Sequence, residues 1–284
     1  MNKRVATSLI ALPVLILTVV LPELVSHPST KWPFAFLTAI VIGAGIYEFF
    51  SLTKHMQLNG DASIAYCGAA LLFVAFFVDA PRDYPTLLIL SLLIFTATLL
   101  ITQTFRFQAD FSKMLAGTGV TLLGVIYVAF LGGYMLAIRN GFENSLVSNL
   151  STKLLGFLFL VVMGADTGAY YVGRSFGKHK IVPKISPGKS WEGLIGGIVL
   201  SGALALGASY SFFRELEPIP GLALASTMTV IGFFGDIVES AFKRGAGLKD
   251  AASILPGHGG ILDRLDSILL NAPLVYYFSI FYFG

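Results

Sequence analysis

Apolar residues in this chain come in long blocks, each cut by a short polar interval. Crossing the hydrocarbon of a bilayer as a helix takes roughly 20 mostly apolar residues, with a range of about 17–25. Nine blocks fit: Val5–Leu21, Trp32–Leu52, Ala62–Val78, Pro85–Gln103, Leu115–Ile138, Leu154–Val172, Trp191–Tyr210, Gly221–Phe242 and Leu265–Phe283. The third is short, and the fifth is long enough to include an interfacial turn. The pattern predicts an all-α, polytopic integral membrane protein of about nine transmembrane helices. It reads as a single membrane domain over 1–284, with hydrophobic spans in 1–150 and the polar chemistry in 151–284. The first block follows Asn2-Lys3-Arg4 like a signal peptide, yet no small-residue cleavage pattern follows it, so a retained helix is expected.

Composition agrees with the pattern. Of 284 residues 55% are apolar and 12% charged, and the mean hydropathy is +0.79, too little charge to cover a soluble surface of this size. The lone Cys67 lies in an apolar run, reads as a small buried hydrophobe, and leaves no disulfide framework. Threading nine spans through a bilayer puts fourteen of the nineteen Lys and Arg residues on the side of the N-terminus. That excess predicts a cytoplasmic N-terminus and places the charged loops 173–190 and 243–264 in the cytoplasm. No solenoid or propeller period is present. Gly193, Gly197 and Ser201 recur every four positions, a pattern that lets helices approach closely.

Several acids stand where a membrane span should have none. Asp166 lies in "MGADTGAYYVGR", Asp236 and Glu239 in "FFGDIVESAFKR", and Asp263 and Asp266 open the ninth block. Glu192 opens the seventh. At about 1.5 Å per residue these carboxylates sit roughly 5–10 Å inside their helix ends, and the i,i+3 spacings put each pair on one helix face. A charge inside a span costs about 2.5–3.5 kcal/mol on insertion scales, so such residues mark function by default. The alternative is that they pair with Arg174, Lys243, Arg244 or Arg264 and lock helices together. Glu48, Glu23, Glu143, Glu215 and Glu217 read as structural or solvated. Clustered hard oxygen ligands suit Mg²⁺, which takes one or two carboxylates, waters and substrate phosphates. Zinc is disfavoured, because His258 has no His or Cys companion in its region.

Two loops rich in glycine and basic residues flank these acids. "GRSFGKHKIVPKISPGKSWEG" contains Gly-Lys-Ser, but Pro183 stands where a P-loop needs glycine and no strand precedes it. Its lysines and glycines still suit phosphates, or anionic headgroups in the case of Lys178 and Lys180. "SPGKSW" leads into a helix N-terminus, which favours anions. In "PGHGG" the glycines would let a phosphate approach the main chain. There His258 is either a donor to a phosphate or leaving group, or an ordinary turn histidine.

The stretch "SAFKRGAGLKDAASILPGHGGILDRLD", Ser240 to Asp266, resembles the signature of phosphatidate cytidylyltransferases, also called CDP-diacylglycerol synthases. "ADTGAYYVGRSFGKHK" and "SPGKSWEG" support the resemblance, which covers about residues 160–270. Ala251-Ala252 departs from the serine or glycine expected nearby. The resemblance implies transfer of the cytidylyl group of CTP to phosphatidic acid, with release of pyrophosphate. It assigns metal binding to Asp236, Asp263 and Asp266, with Asp166 and Glu239 in support. It places Lys243, Arg244, Lys249, Asp250, His258 and Arg264 in the catalytic set, and Lys189, Ser190, Gly259, Gly260 and Arg174 at substrate. The implied cofactor is Mg²⁺, with room for a second cation, and the setting is a bacterial inner membrane with the active site facing the cytoplasm. CTP, phosphatidic acid and the lipid bilayer are the expected partners; no nucleic acid is expected, and homodimerisation is left open. An ion-coupled transporter is the rival reading. It would place acids near the midplane and in both halves of the chain. CDP-alcohol phosphotransferases are disfavoured because their Asp-Gly-x-x-Ala-Arg opening is absent.

Overall fold

A computed structural model of the chain describes residues 3–25, 31–79, 86–108, 110–142, 145–248 and 259–284. Among them the protein is all-α, with nine long helices: α1 Lys3–Leu24, α2 Trp32–His55, α3 Ala62–Val78, α4 Thr86–Arg106, α5 Phe111–Asn140, α6 Leu150–Phe176, α7 Trp191–Tyr210, α8 Pro218–Gly245 and α9 Leu262–Phe283. Seven of these, α2 and α4 to α9, are long and apolar enough to cross a membrane; Leu12–Leu21 within α1 and all of α3 are shorter apolar helices. Helices prevail because lipid offers the backbone no hydrogen-bond partners, so each spanning segment must satisfy its own. The protein is a multi-pass membrane protein.

Polar residues start several helices. Asp61 accepts the N–H of Ile64 at the start of α3, Asp110 that of Lys113 at the start of α5, and Ser190 that of Gly193 at the start of α7. Each satisfies one of the four orphan donors of a helix N-terminus. The long fifth block forms one continuous helix rather than a helix with an interfacial turn. Its middle, Val125–Phe130, widens into a π-helical stretch whose Val125, Tyr127, Val128 and Ala129 are buried. Cys67, expected in the core, is exposed on α3; in a membrane protein an apolar side chain gains little by turning inward.

The chain divides into two compact units, Met1–Gly141 with Gly245–Asp263, and Phe142–Arg244 with Arg264–Gly284. In the first unit α3 is central, with Leu72 and Phe76 fully enclosed. Phe76 meets Tyr134 and Phe130 at ring-centroid distances of 5.0 and 6.0 Å. Asp61 also pairs with Arg106 at 2.6 Å and donates its N–H to Thr121, which ties the start of α3 to α4 and α5.

The second unit contains α6 to α9. Here α6 and α7 approach backbone to backbone: a Cβ on Gly168 would fall 2.4 Å from the Gly196 carbonyl oxygen, and one on Gly197 3.0 Å from that of Ala165. Ser201 on α7 shares a 2.6 Å hydrogen bond with Thr229 on α8. Ser267 and Asn271 on α9 donate to the carbonyls of Gly232 and Met228 on α8. Small residues and such bonds replace the hydrophobic drive that lipid cannot supply. Beyond the span of α7, Glu215 pairs with Lys153 at 2.7 Å; that hydrogen bond holds its carboxyl below the usual range.

Candidate functional site

The connection from α6 to α7 is where the second unit concentrates its polar groups. Its fold follows from its sequence: Ile181, Val182 and Ile185 form an apolar keel on Leu194, Phe233 and Ile237. The chain then turns back on itself. Ile181 donates to the Lys189 carbonyl and Trp191 to that of His179, forming one isolated antiparallel bridge between Lys180 and Ser190. Glu192, in the first turn of α7, accepts the His179 N–H and its Nδ1 at 2.6 Å. Arg244 donates from Nε to the Ile185 carbonyl and braces the loop from α8. The loop is thus anchored at its keel, its bridge and its two ends.

This anchoring sets Lys189 over the start of α7. Its ammonium pairs with Asp236 at 2.5 Å and lies 4.6 Å from the centroid of the Phe233 ring. Asp236 also accepts from Ser240 at 3.3 Å. Beside this pair opens a cavity of about 590 Å³, lined by Asp166, Tyr170, Gly173 and Arg174 from α6, by Lys180, Ser186, Gly188, Lys189 and Ser190 from the loop, and by Phe233 and Asp236 from α8. Arg174 donates to the Tyr170 hydroxyl at 2.8 Å, one turn away on the same helix. The volume falls within the range of small-molecule sites, roughly 300–1,000 Å³. Gly173 and Gly193 let α6 and α7 close around Ser190: a Cβ on either would fall 3.4 or 3.2 Å from its Oγ.

The cavity therefore unites Asp166, Asp236, Lys189, Ser190 and Arg174. Asp266 on α9 interacts electrostatically with Asp236, Asp166 and Lys189, and Arg264 interacts with Asp166. Glu239 goes elsewhere. Three residues advance a helix by about 300°, leaving Asp236 and Glu239 about 60° apart, and this gap suffices to separate their surroundings. Glu239 is fully buried and pairs with Lys243, one turn along α8. Lys243 is one of the partners the pairing alternative named, but this pair lies within one helix and joins no two helices. Among the described residues no group of three or more His, Cys, Asp or Glu side chains stands close enough to hold a metal by itself.

The remaining candidates belong to the segment before α9. Lys249, Asp250 and His258 lie outside the described residues. Gly259 has φ +80°, in the left-handed region that glycine adopts readily. Asp263 accepts the N–H of Gly260 at 2.7 Å. The anion that meets the main chain beside Gly260 is the carboxylate of Glu48, which accepts from Ile261 at 2.8 Å and from Leu262 at 2.7 Å. On the sequence Glu48 reads as structural because no motif accompanies it; the one available signal was its charge inside a span.

An all-α membrane scaffold with a cavity of both charge signs, at the start of α7, defines a polytopic membrane protein equipped for a polyanionic ligand. The chain belongs to the cytidylyltransferase family, whose profile matches residues 2–282. It is similar to the phosphatidate cytidylyltransferase of Bacillus subtilis, with 33% identity over 288 residues, 98% of this chain and 97% of that one. That of Staphylococcus haemolyticus is 34% identical over 280 residues, 97% of each chain. That of Haemophilus influenzae is 47% identical over a shorter stretch of 136 residues, 46% of each.

Proposed function

We propose that this protein transfers the cytidylyl group of CTP to phosphatidic acid, giving CDP-diacylglycerol and pyrophosphate. The observation that carries the reading is the cavity where Lys189, Arg174 and Lys180 face Asp166 and Asp236. The family and the names of the relatives point the same way. An oxygen of the lipid phosphate attacks the α-phosphorus of CTP; that P–O bond forms as the bond to the β-phosphate oxygen breaks. A phosphate monoester has its second pKa near 6, so the attacking oxygen is already ionised at neutral pH and needs little help from a base. The main obstacle is bringing two polyanions together.

The chain's own residues address that obstacle. Lys189, Arg174 and Lys180 neutralise phosphate charge, and the Tyr170 hydroxyl holds the Arg174 guanidinium in place. Ser190 fixes the start of α7 beside the ligand, and charges fixed in advance cost no reorganisation during the reaction. A cavity that carries carboxylates yet receives a triphosphate needs a cation beyond its lysines. Asp236, with Asp166 and Asp266 nearby, would hold Mg²⁺ through one or two carboxylates, the substrate phosphates completing the shell. When bound, the ion would neutralise charge on the triphosphate and on the departing pyrophosphate. Asp263 is a further candidate ligand, and a second cation remains part of the proposal. The setting is a bacterial cell membrane, crossed nine times with the N-terminus and the cavity on the cytoplasmic side, where CTP is supplied. The excess of Lys and Arg on that side supports this orientation. No observation favours ion transport.

The test follows cytosine-labelled CTP with phosphatidic acid and Mg²⁺ in detergent micelles. Label is expected in the lipid phase, dependent on both phosphatidic acid and the metal. Asp236→Asn should lower the rate by about 10²–10³-fold, the scale for losing one preorganised charge at a reacting centre. A folded wild type that leaves the lipid unlabelled with every divalent ion tried would overturn the reading.

A further inference from the structure

The N–H groups at the start of helix α9 find an acceptor far along the chain. Its first donors follow Gly260 and Ile261, neither of which carries a polar side chain. The acceptor comes from 213 residues away. Glu48, fully buried in the middle of α2, places Oε1 2.8 Å from the Ile261 nitrogen and Oε2 2.7 Å from the Leu262 nitrogen. Asp263 takes the preceding N–H, that of Gly260, at 2.7 Å. Two carboxylates thus hold three successive main-chain donors, all within the first unit.

The fit is two-sided. A Cβ on Gly260 would fall 2.5 Å from Glu48 Oε2 and 2.9 Å from Oε1, so only glycine lets the carboxylate reach the backbone. A buried carboxylate is costly unless hydrogen bonds satisfy it, and a helix N-terminus offers both N–H donors and a favourable dipole. Each side removes the other's penalty. The arrangement reaches directly into the segment 260–266, which carries Asp263, Arg264 and Asp266.

We propose that Glu48 is a positioning residue for the reaction: its carboxylate clamps the main chain at Ile261 and Leu262 and so fixes the orientation of Asp263 and the first turn of α9. The proposal rests on the cytidylyl-transfer reading and gives Glu48 its effect through the main chain of Ile261 and Leu262. A purely structural role would lower yield and melting temperature while leaving each folded molecule fully active. A positioning role lowers kcat per folded molecule and leaves substrate KM nearly unchanged.

The experiment compares wild type, Glu48→Gln, Glu48→Asp and Gly260→Ala in micelles, using hydrogen–deuterium exchange and steady-state kinetics with CTP and phosphatidic acid. Glu48→Gln keeps the shape but turns one acceptor into a donor facing an N–H. Exchange at the amides of Ile261 and Leu262 should quicken at least about tenfold, the effect of losing one buried hydrogen bond, while amides of α2 stay protected. In the same variant kcat should fall about 10–100-fold, the range for groups that orient a site's ligands, with both KM values within about threefold. Glu48→Asp should recover part of kcat, and Gly260→Ala should reproduce the loss from the opposite side. Unchanged exchange at Ile261 and Leu262 in Glu48→Gln would show that no clamp exists. Faster exchange with full kcat would show a clamp without a positioning role, and either result overturns the proposal. A wild type with slow exchange at these amides and no transfer activity would overturn the proposed function and leave the clamp standing.

Discussion

The two units use the same residue, glycine, for opposite purposes. In the first, three glycines are sockets for rings, although Gly117 faces the Asn59 carbonyl: a Cβ on Gly68 would fall 2.4 Å from Phe95, one on Gly133 2.2 Å from Phe76, and one on Gly124 2.8 Å from Phe49. In the second, Gly168, Gly193, Gly197 and Gly235 face backbone, with carbonyl oxygens 2.4 to 3.0 Å from where a Cβ would stand. A ring can tilt or be exchanged for something smaller. A carbonyl held in a helix cannot move without its helix. The first arrangement buries large apolar area, whereas the second brings helix backbones together around a cavity of charged groups. The unit that holds the cavity is therefore the one with the least freedom to repack.

Three substitutions test this contrast. Gly168→Ala should have the largest effect. It forces α6 away from α7 at a cost of about 3 kcal/mol or more, at the upper end for overpacking. A displacement of about 1 Å near the chemistry can cost about 10²-fold in rate. Melting temperature and label transfer should fall together, and replacing Leu200 by Gly, which removes the Cβ that would stand 2.9 Å away, should restore neither. Full rescue by that replacement would break the comparison.

Gly133→Ala should cost about 1–3 kcal/mol in thermal stability, but the loss should be recovered when Phe76 is reduced to Leu in the same chain. A double-mutant cycle on melting temperatures reads this directly, and additive losses would show that the socket is as rigid as the α6–α7 contact. Ser190→Ala should have the smallest effect, about 1 kcal/mol for a lost helix cap. Because Ser190 lines the cavity, the KM for CTP should rise while the melting temperature moves by only a few degrees. A larger loss of stability than in Gly133→Ala would reverse the ranking.

The span pattern translated well into helices, since each spanning segment satisfies its backbone locally whatever its neighbours do. The ends did not. Hydropathy closes the sixth span at Val172, yet α6 runs to Phe176, and the eighth extends from the expected Phe242 to Gly245. Helical hydrogen bonding continues beyond the apolar residues, so Asp166 and Asp236 lie more turns from their helix ends than hydropathy suggested. Five residues singled out in the sequence line one cavity: Lys189, Asp166 and Asp236 by type and spacing, and Arg174 and Ser190 through the resemblance. Glu239 shared with Asp236 its charge and its place within the eighth span, but a 60° turn about the helix axis sent it to a buried pairing with Lys243.

What the sequence determined by itself is whatever depends on near neighbours along the chain: helices from runs of apolar residues, caps from Asp61, Asp110 and Ser190, and a polar chemistry concentrated after residue 150. What only the tertiary structure decided is which charges meet. Glu48 and the backbone of Ile261 and Leu262 are separated by most of the chain, and no local pattern at either end announces the other. A carboxylate's role in a membrane protein depends on the donor that removes its desolvation penalty, and that donor is chosen by packing. Lys189 does so for Asp236, Lys243 for Glu239 and the start of α9 for Glu48: three acids within apolar spans, distinguished by what folding brings to them.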